Sequence, residues 1–213
     1  DYFEVSTERT MLPDIGQGSI IKPYQYPHPP IVGTVVAPYS KGITAMAERG
    51  WEPISANFLL PKWVKAHWSN YAKGCALGGQ TADPENWRIA KNICVADDMK
   101  TAKEYARGTN SPYVLYYSQL LTKFRDSGRL NLFKEDQEMS DDKVTLDYVL
   151  DRLVTFGDPS SVADQILEFR DTVGDFNHLV YAGHDWTDYD LGRKSMILTA
   201  EKVIPILNDA IKD

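Results

Sequence analysis

The sequence predicts an α/β protein built on a parallel sheet with helices packed outside it. Short apolar runs rich in β-branched residues recur without polar alternation, as strands buried on both faces require. Each run is followed by a stretch with apolar residues at helical spacing, and Gly, Pro or Asp punctuates the joins. Strand and helix alternate about four times with no internal sequence repeat, and that order implies crossover connections and parallel pairing. The pattern fits an open doubly wound sheet and part of a (β/α)8 barrel equally well.

The first thirty residues carry Pro13, Gly16, Gly18, Pro23, Pro27, Pro29 and Pro30, so residues 1–30 read as a long irregular connection. Ile31-Val32-Gly33-Thr34-Val35-Val36 is the first strand candidate. A Pro38-Tyr39-Ser40 turn follows, then Ile43, Met46 and Ala47 at helical spacing, closed by Gly50. A second run from Pro53 ends in Asn57-Phe58. Residues 60–76 read as a helix, with Trp63, Val64, His67, Trp68 and Tyr71 spaced by three and four, and Gly78-Gly79 stops it.

Residues 87–95 form the third strand candidate, closed by Asp97-Asp98. A helical region spans 99–124, broken around 108–112. Residues 126–143 are polar, with Glu135, Asp136, Glu138, Asp141 and Asp142, and are expected to form an exposed insertion. A helix resumes over 146–154. In Gly157-Asp158-Pro159-Ser160, Asp158 can accept from orphan N–H groups while Pro159 has none to lose, so a helix starts there. Residues 176–182 are the fourth strand candidate, and 192–207 the final amphipathic helix, ending near Pro205.

The 213 residues suffice for one domain with a sizeable core or two very small ones, and 43% hydrophobic residues argue against a disordered chain. A net charge of -7 disfavours a broad nucleic-acid or anionic-membrane surface. Two cysteines, Cys75 and Cys94, give no disulfide framework or zinc motif, which fits a reducing cytoplasm. The sequence has no apolar run of membrane-spanning length and no signal-peptide pattern. Four scattered histidines without ligand-spaced carboxylates argue against a metal site.

Four segments carry a family resemblance. Lys22-Pro23-Tyr24-Gln25-Tyr26-Pro27-His28-Pro29-Pro30-Ile31 is similar to a Lys-Pro…Pro-His-Pro-Pro approach to a barrel strand. Ala37-Pro38-Tyr39-Ser40 with Ala45-Met46-Ala47-Glu48-Arg49-Gly50 is similar to a strand, Ser-rich turn and helix. Gly157-Asp158-Pro159-Ser160-Ser161-Val162-Ala163 and Phe176-Asn177-His178-Leu179-Val180-Tyr181 resemble a later helix start and the last barrel strand. In this order the set resembles the bacterial-luciferase-like flavin-dependent monooxygenases, most closely their limonene-monooxygenase-like group. The resemblance implies a (β/α)8 TIM-barrel type of fold, of which 1–213 would be the C-terminal half, about four βα units in one partial barrel domain. The chain starts at Asp1 without Met, and the first four strands have no counterpart. The expectation is therefore a fragment, inactive or self-associated in isolation, whose open edges meet a missing N-terminal half or a second copy.

The resemblance implies that Ala37, Pro38, Tyr39 and Ser40 hold the phosphate of flavin mononucleotide (FMN) at a helix start. Pro38 lacks an N–H and Tyr39 replaces a more usual Ser, and an ordinary helix start with Ser40 as N-cap fits the same residues. His184, in Tyr181-Ala182-Gly183-His184-Asp185-Trp186, falls just past the last strand, on the active-site face of such a barrel. It is the catalytic candidate, against the alternative of a turn-capping histidine. Asn57, Phe58 and Trp186 are substrate-binding candidates by the same placement, and a structural role fits each of them too. His28, His67 and His178 read as structural.

The activity the resemblance implies is oxidation of a small apolar organic substrate with reduced FMN and oxygen, the FMN being supplied by a separate flavin reductase. The alternatives are a coenzyme F420-dependent oxidoreductase on the same barrel, or a non-catalytic half-barrel.

Overall fold

The computed structural model describes residues 6, 8–18, 23–26, 28–184 and 186–212. The chain divides into two compact units, Asp1–Ile31 and Val32–Asp213. In the first, Leu12 and Gln17 form an antiparallel bridge across a 3-10 turn, Pro13–Ile15. Gly16 closes that turn at φ 68°, a left-handed conformation that costs a residue without Cβ nothing. His28 donates from Nδ1 to the Pro29 carbonyl at 2.8 Å, a backbone-bonded imidazole. Lys22 and Pro27 lie outside the described residues.

The second unit holds five strands, β1 (Val32–Val35), β2 (Glu52–Ser55), β3 (Arg88–Val95), β4 (Val154–Gly157) and β5 (His178–Tyr181), and every pairing among them is parallel. The order is β1-β2-β3-β4, with β5 also on β3. One strand accepts three neighbours because β2 and β5 flank its first half on opposite edges while β4 meets its second half. β2 pairs at Arg88 and Ile89, β5 along Arg88 to Lys91, and β4 along Asn92 to Val95. Four of these strands fall at the expected places. β4 was not expected, and its first residue, Val154, was expected as the end of a helix: α5 (Leu146–Leu153) stops one residue earlier, and Val154-Thr155-Phe156 favours an extended, largely buried strand.

Crossover helices cover the sheet. α1 (Lys41–Glu48) packs on α2 (Pro61–Leu77), where Gly74 admits the backbone of Thr44 and the methyl of Ala47. The expected break at 108–112 separates α3 (Met99–Arg107) from α4 (Pro112–Asp126). There Ser111 accepts from the N–H groups of Tyr113 and Val114, and Pro112 occupies the first turn. α6 (Pro159–Val173) begins on Asp158, whose carboxylate accepts from Ser161 N–H at 3.0 Å; that bond holds its pKa below the usual carboxylate value.

Two expectations are corrected. Residues 126–143 are not wholly an exposed insertion: Leu130, Leu132 and Phe133 are buried in a core with Trp63, Tyr117 and Phe124, while residues 126–129 before them and the acidic stretch after them face solvent. Three apolar side chains within four residues outweigh the polar average of the segment. The last helix does not end near Pro205. α7 (Tyr189–Leu198) runs through a π-helical turn, Thr199–Val203, into α8 (Ile204–Ala210). Pro205 lies in the first turn of α8, where its missing N–H costs little. Among the described residues no helix is long and apolar enough to cross a membrane.

Candidate functional site

In a parallel sheet the loops leaving the strands gather along one edge. Ala37 to Ser40 follow β1, Asn57 follows β2 and His184 follows β5. The register adds a fourth group. Lys91 pairs with Tyr181, the last residue of β5, so Asn92 stands one step beyond that strand's end and three beyond the level of Ser55. Asn92 therefore meets the loops although it lies inside β3.

Asn92 is fully buried and central to a polar cluster. Its Oδ1 accepts from Asn57 Nδ2 at 2.9 Å and faces His184 Nε2 at 2.7 Å. Its Nδ2 donates to the Tyr117 hydroxyl and faces the carbonyls of Asn57 and Leu153, each at 3.4 Å. Tyr116 donates to Asn57 Oδ1 at 3.2 Å, and Tyr117 to the Asn57 carbonyl at 3.2 Å. Tyr113 and Tyr116 enclose the His184 ring, with centroids 5.4 and 4.5 Å away. Burial raises the pKa of Tyr113, Tyr116 and Tyr117, so all three remain neutral hydroxyls near pH 7. The cluster can position a polar group and exchange protons at the imidazole.

The turn after β1 is built differently. Tyr39 sits at φ 51°, the one non-glycine residue with positive φ among the described residues. A left-handed non-glycine costs about 1–2 kcal/mol, and such strain concentrates at functional sites. Ser40 is the N-cap of α1, but its hydroxyl accepts no capping bond, so the first-turn N–H groups have no side-chain partner there. The turn is fixed from beneath. Trp87 Nε1 donates to Ser55 Oγ at 3.0 Å, Ser55 donates to His67 Nδ1 at 2.9 Å, and His67 Nε2 donates to the Ala37 carbonyl at 3.0 Å. Burial lowers the His67 pKa to about 4, so the ring is neutral, as this chain of bonds requires. The Tyr39 ring rests edge-on against Trp63 at 5.8 Å and is largely exposed.

The structure brings His184 and Asn57 together through Asn92. It separates two other candidates from them. Phe58 turns into the core, its ring 5.8 Å from Phe124. Trp186 packs on Tyr189 and over Gly192 of α7, where a Cβ would collide with its ring. Asp185 lies outside the described residues. Sequence reasoning missed Asn92, Tyr113, Tyr116 and Tyr117. The signal was present: an amide beside Lys91 within the mainly apolar run from Ile89 to Val95, and three tyrosines on one helical face. An apolar cavity of about 330 Å³ lies elsewhere, between β5, α6 and α8, lined by Ile166, Leu179, Val203 and Leu207.

A parallel strand–helix array with its polar groups gathered at the C-terminal ends of the strands defines an enzyme-type α/β scaffold. Comparison with known proteins finds similarity chiefly to monooxygenases. The 3,6-diketocamphane 1,6-monooxygenase of Pseudomonas putida is 23% identical over 160 residues, 75% of this chain and 42% of its own length. The solved structure of the oxygenating constituent of 3,6-diketocamphane monooxygenase, in complex with FMN, matches with a TM-score of 0.74 at 23% identity, over 84% of this chain and 49% of that one. The 4-hydroxyprotoasukamycin monooxygenase of Streptomyces nodosus subsp. asukaensis is 24% identical over 190 residues, 86% of this chain and 48% of its own length. A coenzyme F420-dependent tetrahydromethanopterin reductase of Methanopyrus kandleri shares the fold more distantly, with a TM-score of 0.52 at 17% identity over 84% of this chain and 51% of that one. No family model matches the chain. The chain spans about half the length of the curated relatives it matches.

Proposed function

We propose that the chain is the cofactor-phosphate and closing-strand portion of a luciferase-like, FMN-dependent monooxygenase that oxidises a small apolar organic substrate. The observation that carries this reading is the turn after β1, where a strained Tyr39 and a non-capping Ser40 hydroxyl stand at the N-terminus of α1. These donors suit a phosphate: first-turn N–H groups, the Ser40 hydroxyl and the positive end of the helix dipole. Bound reduced FMN would supply the oxygen-activating chemistry. The chain's own residues would anchor the phosphate at Ser40, hold and exchange a proton at His184, and exclude water with Tyr113 and Tyr116. The Asn57 side chain would orient the polar end of the substrate or ring system; Phe58 and Trp186 would serve as packing.

β1 and β5 each pair along one edge only among the described residues, and the remaining half of a barrel or a second copy would complete them. The reading includes a separate flavin reductase and a cytoplasmic setting. Anaerobic titration of the chain with reduced FMN and reduced riboflavin tests it. FMN should bind saturably and at least tenfold tighter than riboflavin, and Ser40→Ala should remove most of that preference. Equal affinity for the two, or no binding, would overturn the phosphate assignment. Tighter binding of reduced F420 than of FMN would favour the second reading, which the F420-dependent reductase of the same fold supports.

A further inference from the structure

We propose that Asn92 is a positioning residue that holds the His184 imidazole in its Nε2–H tautomer. The proposal rests on the reading of His184 as a proton-exchanging group and names the residue that sets its chemistry.

The orientation of the Asn92 amide follows from its neighbours. The Asn57 and Leu153 carbonyls face one side of it, each 3.4 Å from Nδ2. Carbonyl oxygens only accept, so the amide nitrogen must occupy that side. The Tyr117 hydroxyl, also bonded to Nδ2, uses its own proton toward the Asn57 carbonyl and so accepts from Asn92. Oδ1 is thereby turned toward Asn57 Nδ2 at 2.9 Å and His184 Nε2 at 2.7 Å. An amide oxygen has no proton to give. At 2.7 Å from it, His184 Nε2 must carry one, because the other neutral tautomer would set lone pair against lone pair.

The ring cannot escape this arrangement by rotating freely. Tyr113 stands edge-on to it at 86°, and Tyr116 lies against it at 44° with a centroid separation of 4.5 Å. Asn92 itself is fully buried in β3 and paired in register with Val154 of β4. A buried amide costs stability unless every polar atom is satisfied, and here both ends are. Asn92 thus acts on His184, 92 positions away in sequence, as a template for its protonation.

The test is nitrogen-15 NMR of the chain labelled at histidine, at a pH where the rings are neutral. The chain has four histidines, and the His184 signals are those lost in His184→Gln. The expected spectrum shows a protonated Nε2, its proton protected from solvent exchange, and an unprotonated Nδ1. Asn92→Leu should speed exchange of that proton at least tenfold and raise the Nδ1–H population. Asn92→Asp, which keeps an accepting oxygen, should retain the Nε2–H form; it decides the matter if the leucine variant does not fold. A wild-type ring in the Nδ1–H form, an unchanged spectrum in Asn92→Leu, or loss of the Nε2–H form in Asn92→Asp would each overturn the proposal. An intact Nε2–H ring with no FMN binding would overturn the flavin reading alone. FMN binding with an Nδ1–H ring would overturn the positioning role alone.

Discussion

Acid should unfasten the turn after β1 through one residue, His67. Its ring is fully buried, receives the Ser55 proton at Nδ1 and gives its own Nε2 proton to Ala37. Burial lowers its pKa from 6.5 to about 4. Between those values the unfolded chain binds a proton that the folded chain refuses, so stability falls as pH drops through 6.5 and stops falling below 4. At ~1.4 kcal/mol per pH unit, the interval amounts to about 3 kcal/mol. The assay is urea unfolding of the wild type and of His67→Gln at half-unit steps from pH 7.5 to 3.5. Glutamine can still donate to the Ala37 carbonyl but does not titrate, and the carboxylates contribute equally to both proteins. The expected result is a stability difference in favour of the wild type at pH 7 that narrows by about 3 kcal/mol as pH reaches 4. Parallel curves would refute the reasoning, since they would mean that the ring titrates alike in both states.

Other expectations follow from packing and capping. Gly74→Ala places a methyl against the backbone of Thr44 and 2.6 Å from the Ala47 methyl, and should cost about 1–3 kcal/mol in chemical denaturation by prising α1 from α2. Asp158→Ala removes the N-cap of α6 and should cost about 1 kcal/mol at pH 7, with the loss disappearing once acid protonates the wild-type carboxyl, whose pKa is lowered by the Ser161 bonds. Lys91 is buried with its ammonium 4.3 Å from the centre of the Phe169 ring, and desolvation lowers its pKa to about 8. Lys91→Met should therefore stabilise the protein by about 1–3 kcal/mol at pH 7, an advantage that shrinks as pH rises from 8 toward 10.5 and the unfolded lysine alone keeps its proton. A thermal melt of both proteins at pH 7 and pH 10 checks this.

The parts of the fold that were legible in the sequence are those where a local pattern has one physical solution. The β-branched, apolar runs at β1, β3 and β5 had to be strands, although only β3 is buried along most of its length while β1 and β5 stay largely accessible, and Asp158-Pro159 had to start a helix. β4 was not legible, because Val154-Thr155-Phe156 continues the apolar pattern of α5 and only pairing with β3 separates the two. The burial of Leu130, Leu132 and Phe133 was hidden by the acidic residues after them. At the candidate site the loop positions of Ser40, Asn57 and His184 were readable from strand ends alone. Asn92 was not singled out, because its role depends on register: only the offset of β3 beyond β2 and β5 carries an interior strand residue to the edge. The orientations of Phe58 and Trp186 were equally out of reach, since an aromatic after a strand can face either the edge or the core, and packing against Phe124 and Gly192 decides it.

A diffraction structure of the chain bound to FMN would test the central claim most directly. The account predicts the phosphate within hydrogen-bond distance of Ser40 and the first-turn N–H groups of α1, with the ring system on the same sheet edge as Asn57 and His184. FMN lodged instead in the apolar cavity between β5, α6 and α8, or a phosphate with no contact to the turn after β1, would contradict it.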